Sequence, residues 1–360
     1  MIQTERIPDP TLPIAPEEDP AAARARELNN RGALLHLEGK LDEARAEYEA
    51  ALIEYPQEAT AANNLGYLLA QQGRLDEALE HYRHALELDP NKSVTFANLG
   101  IVQAALDQSA AAIASLEQAV RLDSKNVLAW DNLAKVLMTA GRLAEAEFAW
   151  RSALRVAPAE GRLYTALGTV VAAQQRIDEA AAILQHAVRL EPESAKAWTQ
   201  LGIVLFLRQD LGSAAEALEQ GLEFAPDDHD ARHHLALVHL ARGQRTAAEG
   251  ELERIVLQAT AADPFYTAAH VDLAVIALSR GEWQRSLTRL DIVLQAEPGN
   301  TRAIFYRAVS LDHLERSAEA NELMHTLVRD HHGKYAEQAH IYLAARNDGG
   351  VQDFCEGQRA

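Results

Sequence analysis

Four asparagines stand at residues 30, 64, 98 and 132, one every 34 residues. Inside a helix asparagine is less favourable than alanine by about 0.5–0.7 kcal/mol, so its return at one register asks for a role for the side chain. A primary amide carries both donors and acceptors and therefore matches a peptide backbone whatever the peptide's sequence. Two other readings fit Asn30, Asn64, Asn98 and Asn132 equally: solvent-facing remnants of a consensus unit, or hydrogen bonds between neighbouring helices.

Lys135, Arg162 and Lys196 are a second group with chemistry to offer. Three cations in a chain of net charge −19 suit an acidic segment or a terminal carboxylate. They equally suit a balancing role toward Asp131 and the surrounding acids. Histidines pair at helical spacing, His81 with His84 and His229 with His233, and His234 follows directly. Residues 229–234 read HDARHH, without the HExxH arrangement of a zinc hydrolase, so no metal is expected. A phosphate-binding P-loop, a nucleotide-binding glycine run after a strand and a GxSxG elbow are also missing. No cofactor and no enzymatic activity are expected.

Bulk composition narrows the partners. The 360 residues carry 53 acids against 34 lysines and arginines, a balance that repels phosphate backbones and anionic lipid. No nucleic acid partner is expected. No run of about 18 apolar residues exists, so no membrane insertion is expected. The opening residues, MIQTERIPDPTLPIAPEEDP, hold no apolar stretch of leader length, and the single cysteine, Cys355, permits no disulfide framework. A cytoplasmic location and a monomer are the resulting expectations.

What positions these residues is a repeat. Gly32, Gly66 and Gly100 lie 34 apart, as do Ala44, Ala78, Ala112, Ala146, Ala180, Ala214 and Ala248. Tyr48 and Tyr82 share the interval, and Pro56, Pro90, Pro158, Pro192, Pro226 and Pro298 fall at one register. Within residues 59–92, Ala62, Leu65, Leu68 and Leu69 form one helical stripe and Leu75, Ala78, Leu79, Tyr82, Ala85 and Leu86 a second. Gly73 interrupts the first, and Pro90 stops the second because proline cannot continue the hydrogen-bond ladder. Small residues at Gly66, Ala78 and Ala85 permit close approach, where larger ones would cost about 1–3 kcal/mol through overpacking.

Each unit is thus a helix pair, with frames 25–58, 59–92, 93–126, 127–160, 161–194, 195–228, 229–262, 267–300 and 301–334. Asp263-Pro264-Phe265-Tyr266 intervenes between the seventh and eighth, as a hinge or partner contact, or as a lengthening of the seventh unit's second helix. Ile255, Val293 and Leu327 replace a small residue in the last three units, and Arg31 and Arg307 replace a leucine in units one and nine. Residues 335–346 predict a cap helix with Tyr335, Ala339, Tyr342 and Leu343 on its apolar side. Residues 1–24 and 347–360 are expected to be mostly disordered. Trp283, Trp130, Trp150 and Trp198 fall at packing registers.

The pattern aromatic-x-x-Leu-Gly, then Ala, then aromatic-x-x-Ala, then Pro resembles the tetratricopeptide repeat, and Trp198-Thr199-Gln200-Leu201-Gly202 is a close match to its first half. The resemblance covers residues 25–334. It implies an all-α, right-handed superhelical solenoid of about nine helix-turn-helix units whose first helices line a concave groove, with positions 2, 5, 6, 9, 12 and 13 of each unit facing it. The four asparagines then occupy position 6, similar to the asparagine ladder of the repeat arm of protein O-GlcNAc transferases, without any catalytic domain. With first helices about 10 Å apart and an extended guest advancing about 3.3 Å per residue, each asparagine would meet every third residue. The ladder stops there, since position 6 becomes Ala166, Gln200, His234, Asp272 and Tyr306. Asn29 and Ala33 stand where chaperone-tail clamps carry lysine and asparagine, so that ligand class is not expected.

The implied function is a scaffold, adaptor or assembly factor holding an extended peptide or partner protein in the groove. The alternatives are a self-associating structural protein and, less favoured by the acidity, an RNA-binding helical repeat.

Overall fold

The computed structural model describes residues 19–347. Nineteen α-helices and no strand occur among them. They fall into two compact units, the first reaching Gln174 and the second beginning at Gln175. The first holds α1 (Pro20–Leu37), α2 (Leu41–Glu54), α3 (Ala59–Gln71), α4 (Leu75–Leu88), α5 (Ser93–Ala105), α6 (Ser109–Leu122), α7 (Val127–Thr139), α8 (Leu143–Val156) and α9 (Gly161–Ala173). The second holds α10 (Ile177–Leu190), α11 (Ala195–Leu207), α12 (Leu211–Phe224), α13 (His229–Ala241), α14 (Arg245–Gln258), α15 (Pro264–Ser279), α16 (Trp283–Ala296), α17 (Thr301–His313), α18 (Ser317–Asp330) and α19 (Lys334–Asn347).

Odd-numbered helices open each frame and even-numbered ones close it. Between them the chain turns at one residue with positive φ, at the same register in every unit: Gly39, Gly73, Asp107, Gly141, Gln175, Gln209, Gly243, Gly281 and Glu315. Glycine takes that conformation without steric penalty. At Asp107, Gln209 and Glu315 the packing of the two helices holds a side-chain-bearing residue there.

The pair closes on a small residue. A Cβ on Gly202 would lie 2.5 Å from Leu218 Cγ and 3.2 Å from the Ala214 carbonyl oxygen, and one on Gly100 would lie 2.6 Å from Leu116 Cγ. Alanine from the second helix completes the contact; Ala44, Ala78, Ala112, Ala146, Ala180, Ala214 and Ala248 are all fully buried. The atypical residues are explained here as well. Ile255, Val293 and Leu327 are fully buried, so the last units fill the second small position with larger side chains. In place of leucine, Arg31 reaches across its pair to Glu47 on α2 at 2.5 Å, and Arg307 reaches back to Asp291 on α16 of the preceding frame at 2.7 Å.

First helices touch first helices. In the first unit α1 packs on α3, α3 on α5 and α5 on α7; in the second, α11 on α13, α13 on α15, α15 on α17 and α17 on α19. Second helices do not pack on one another to a comparable extent. Within each unit the row of first helices therefore lies on the inside of the curve.

Three expectations are corrected. Helix α1 begins at Pro20, inside the 1–24 segment expected to be mostly disordered, because Asp19 caps it through the Ala21 N–H and Pro20 sits where its missing N–H is not needed. Residues 1–18 and 348–360, the remainder of the two segments expected to be disordered, lie outside the described residues. The 263–266 insertion does not lengthen a second helix: α14 has the usual 14 residues, while α15 has 16 against 13 in the other inner helices of frames two to nine. Asp263 caps α15 through the Phe265 N–H and Pro264 is its first residue. Finally, only Trp150 is core, 1% exposed. Trp130 and Trp198 are half-buried and clip the preceding loop, donating to the Ser124 and Pro192 carbonyls. Trp283 is half-buried and stacks on His313, ring centroids 3.9 Å apart.

Packing distinguishes two glycines. Gly202→Val forces Leu218 aside and is expected to lower unfolding free energy by about 1–3 kcal/mol. Gly250, mid-helix in α14 with open space around it, is expected to give about 1 kcal/mol of added stability on Gly250→Ala. Urea denaturation followed by circular dichroism measures both, and equal effects of one sign would contradict the close-approach account.

Candidate functional site

The inner face of the first unit carries a row of hydrogen-bonded amides. Asn64 Nδ2 on α3 donates to Asn29 Oδ1 on α1 at 2.9 Å, Asn63 Nδ2 donates to Asn64 Oδ1 at 3.2 Å, and Asn98 Nδ2 on α5 donates to Asn63 Oδ1 at 3.2 Å. Four side chains from three helices thus form one chain of bonds. It holds two of the four asparagines singled out by the 34-residue interval, Asn64 and Asn98. Asn30 points to solvent with no hydrogen bond among the described residues, and Asn132 donates to the Leu128 carbonyl of its own helix at 2.8 Å. The other two members, Asn29 and Asn63, precede the register by one residue. The doublets Asn29-Asn30 and Asn63-Asn64 were the signal for them.

Each amide has two N–H groups and two acceptor lone pairs, and the three bonds of the row use well under half of that capacity. Asn64 and Asn98 are partly exposed and Asn29 is buried. Apolar side chains stand one helical turn from the amides: Tyr67 beyond Asn63, Val94 before Asn98 and Leu128 before Asn132, at 46, 52 and 53% exposure.

The cations are differently disposed. Asp131 on α7 is 2% exposed. Its Oδ1 accepts from Trp150 Nε1 at 2.9 Å and its Oδ2 from Lys135 Nζ at 2.9 Å and Arg162 Nη1 at 2.7 Å. Burial pushes this carboxyl up, but the bonds from Trp150, Lys135 and Arg162 outweigh it and hold the group below the usual carboxylate range. Of the two readings of Lys135 and Arg162, the balancing one describes their contacts. Lys196, on α11 in the second unit, is exposed and has no ion pair or hydrogen bond among the described residues.

A second buried carboxylate organises the inner face of the second unit. Asp272 on α15, 4% exposed, accepts from His233 Nε2 on α13 at 2.8 Å and from Arg302 Nη2 on α17 at 2.5 Å. Burial raises its pKa, and the His233 bond and the Arg302 charge more than reverse the shift. His229 bonds Asp263 at 2.5 Å and His234 bonds Asp230 at 2.9 Å. The three histidines of HDARHH are therefore each occupied by a carboxylate, and among the described residues no group of three or more His, Cys, Asp or Glu side chains is placed to hold a metal ion. His270 is 1% exposed, with Tyr266 edge-on at 4.6 Å. Burial and the nearby Arg289 push its pKa down to about 4. Among the described residues no helix is long and apolar enough to cross a membrane.

Comparison with known proteins agrees with this architecture. The family model described as the C-terminal domain of cilia and flagella-associated protein 70 matches residues 11–237, and a model described as a tetratricopeptide repeat matches residues 271–330. The chain belongs to the tetratricopeptide repeat family. Solved tetratricopeptide repeat structures are similar to it at low identity. A chain of the APC/C hetero-tetramer Cut9-Hcn1 is 18% identical, with 79% of this chain and 55% of that one covered and a TM-score of 0.57. Pseudomonas aeruginosa pilF is 18% identical over 58% of this chain and 95% of its own, with a TM-score of 0.51. YrrB, described as a TPR protein with an unusual peptide-binding site, is 20% identical over 62% and 95%, with a TM-score of 0.40. No curated protein sequence matches. At these identities the shared property is the fold.

Two outcomes follow for the buried charges of this repeat array. Asp131→Ala leaves the Trp150 N–H, at the fully buried ring, without an acceptor and is expected to lower stability by about 1–3 kcal/mol in urea denaturation; an unchanged midpoint would remove Asp131 from its structural role. His270 has a different signature. The unfolded chain takes up a proton there below about pH 6.5 while the folded chain resists until about 4, so the unfolded state binds more protons in that window and stability falls as pH drops through it. The loss of Tm between pH 6.5 and 4.5 is expected to be smaller in His270→Gln than in the wild type, and an identical loss would assign the effect elsewhere.

Proposed function

We propose that this tetratricopeptide repeat chain is a non-catalytic scaffold that holds an extended polypeptide along the first-helix face of its N-terminal unit. The observation that supports this reading is the amide row of Asn29, Asn64, Asn63 and Asn98, which crosses α1, α3 and α5 with more than half of its hydrogen-bonding capacity unspent within the row.

A guest strand laid across the first helices presents alternating N–H and C=O groups. Amides linked edge to edge are held in orientation, so a guest does not have to freeze their rotamers itself, which lowers the entropic cost of binding. Asn30 and Asn132 stand beside the row and extend it on α1 and α7. Tyr67, Val94 and Leu128 offer apolar contacts to guest side chains at intervals along the same face, which supplies a preference that backbone bonding lacks. Such a guest folds onto the array from a disordered state, giving modest affinity over a long contact. Lys135 and Arg162 act as fixed structure beneath this face through Asp131. Lys196 remains a candidate cation on α11 for a guest carboxylate.

An array of short unstructured synthetic peptides provides the test, with wild type compared to the triple variant Asn63→Ala, Asn64→Ala, Asn98→Ala. The wild type is expected to retain a set of peptides rich in apolar residues. The variant is expected to lose them by at least about tenfold, as three hydrogen bonds near 1 kcal/mol each imply, with its helical circular dichroism unchanged. Backbone N-methylation of a retained peptide is expected to weaken it comparably. Undiminished binding by the variant or of the methylated peptide would defeat the proposal.

A further inference from the structure

The inner face of the second unit differs in kind from that of the first. There the His233–Asp272–Arg302 tie runs across α13, α15 and α17. One helical turn further along the same side stand Leu237, Val275 and Val309. Ile203 on α11 holds the same register, so four first helices in succession each present one aliphatic side chain. Phe206, Leu240 and Leu278, three residues on, form a second row beside it. All seven are half-buried, and Leu240, Val275 and Val309 rest on the core beneath. Neither row offers a hydrogen-bonding group until Asp312 on α17, which already accepts from Tyr342 and Ser317.

An extended guest would press its N–H and C=O groups against aliphatic carbon, where they find no partner. An α-helix satisfies its own backbone and offers side chains alone. Its dimensions agree as well. A helix about 10 Å across covers both rows, and seven residues advance it by about 10.5 Å, close to the spacing of packed first helices.

Charge sets the sign of the guest. The three carboxylates at inner positions of α13, α15 and α17 each carry a donor: His234 bonds Asp230, His233 and Arg302 bond Asp272, and Tyr342 and Ser317 bond Asp312. Two lysines are placed otherwise. Lys196 on α11 and Lys334 on α19 are exposed and have no ion pair among the described residues, and Lys334 lies over the Tyr335 ring at 5.8 Å. Tyr335 in turn meets Tyr306 of α17, ring centroids 6.0 Å apart. Unpaired cations at both ends of the rows favour acidic residues at both ends of the guest.

We infer that α11, α13, α15 and α17 seat an acidic amphipathic helix of a partner protein, one heptad to each frame. This site is separate from the amide row in residues and in guest chemistry, so either can fail alone.

The probe is a fluorescein-labelled peptide of about 21 residues, with leucines at heptad a and d positions and glutamates at both ends. It is titrated with the full chain and followed by fluorescence anisotropy. The wild type is expected to bind it at least about tenfold more tightly than the same peptide with a central proline, which breaks the helix. Leu237→Gln with Val275→Thr is expected to lose about tenfold in affinity, with circular dichroism verifying the fold. Lys196→Glu with Lys334→Glu changes only exposed side chains and is expected to weaken binding at low salt, the loss shrinking as salt rises. The triple variant Asn63→Ala, Asn64→Ala, Asn98→Ala is expected to bind this peptide as the wild type does. Equal affinity for the two peptides would overturn the inference, as would indifference to both pairs of substitutions or loss of binding in the asparagine variant. A ligand-free dimer dissolved by Leu237→Gln with Val275→Thr would also overturn it, in favour of a second copy on these rows.

Discussion

Everything in this molecule depends on how closely two helices approach inside each repeat. At Gly32, Gly66, Gly100 and Gly202 the first helix meets the second with no room for a Cβ, and ring or branched carbons of Tyr48, Tyr82, Leu116 and Leu218 occupy the space instead. Alanine on the second helix completes the contact. Side chains in such a site are packed at crystal-like density, so the geometry of the pair is fixed to within a few tenths of an ångström. Because the same contact recurs unit after unit, a small angular preference is repeated, and the first helices gather on the inner side of each compact unit.

That crowding creates the surface where function is proposed. Side chains 35 residues apart, such as Asn29 with Asn64 and Asn63 with Asn98, come within hydrogen-bond distance only because α1, α3 and α5 touch. The same geometry brings Asp131 to Arg162 and Asp272 to both His233 and Arg302. Two buried carboxylates, one in each unit, therefore serve as internal ties between successive repeats. A buried carboxylate is tolerable only with donors on its oxygens, and these have three and two. The outer faces carry pairs of a weaker kind. Arg74–Glu77, Arg142–Glu145, Arg176–Glu179 and Arg316–Glu319 recur at one register at the start of second helices and, being exposed and screened by solvent, contribute little to stability.

The places where reading the sequence failed have a common cause. The insertion at 263–266 was equally compatible with the end of one helix or the start of the next. Asp263 bonding the Phe265 N–H decided for the start. Trp130 and Trp198 share the aromatic first-half register of the repeat, yet an indole N–H requires an acceptor, and the loop carbonyls of Ser124 and Pro192 draw these rings outward. Trp150 finds its acceptor inside, on Asp131. An amphipathic residue obeys its polar atom as much as its apolar surface, and the position of that atom's partner is not encoded in spacing.

The residues alone determined the repeat: its 34-residue length, the two helices per unit, the small residues at their contact and the all-helical class. All of these are local or periodic properties, and a Gly or Ala that returns at one register is legible because close packing tolerates no substitute. Tertiary structure decided which side chains meet across repeats. It joined Asn29 and Asn63 to a row that periodicity had assigned to Asn30, Asn64, Asn98 and Asn132. It also turned Lys135 and Arg162 inward to a shared carboxylate. Hydrogen bonds between helices depend on separations of a few ångströms and on rotamers, whereas a sequence register fixes only the face of the helix on which a residue stands.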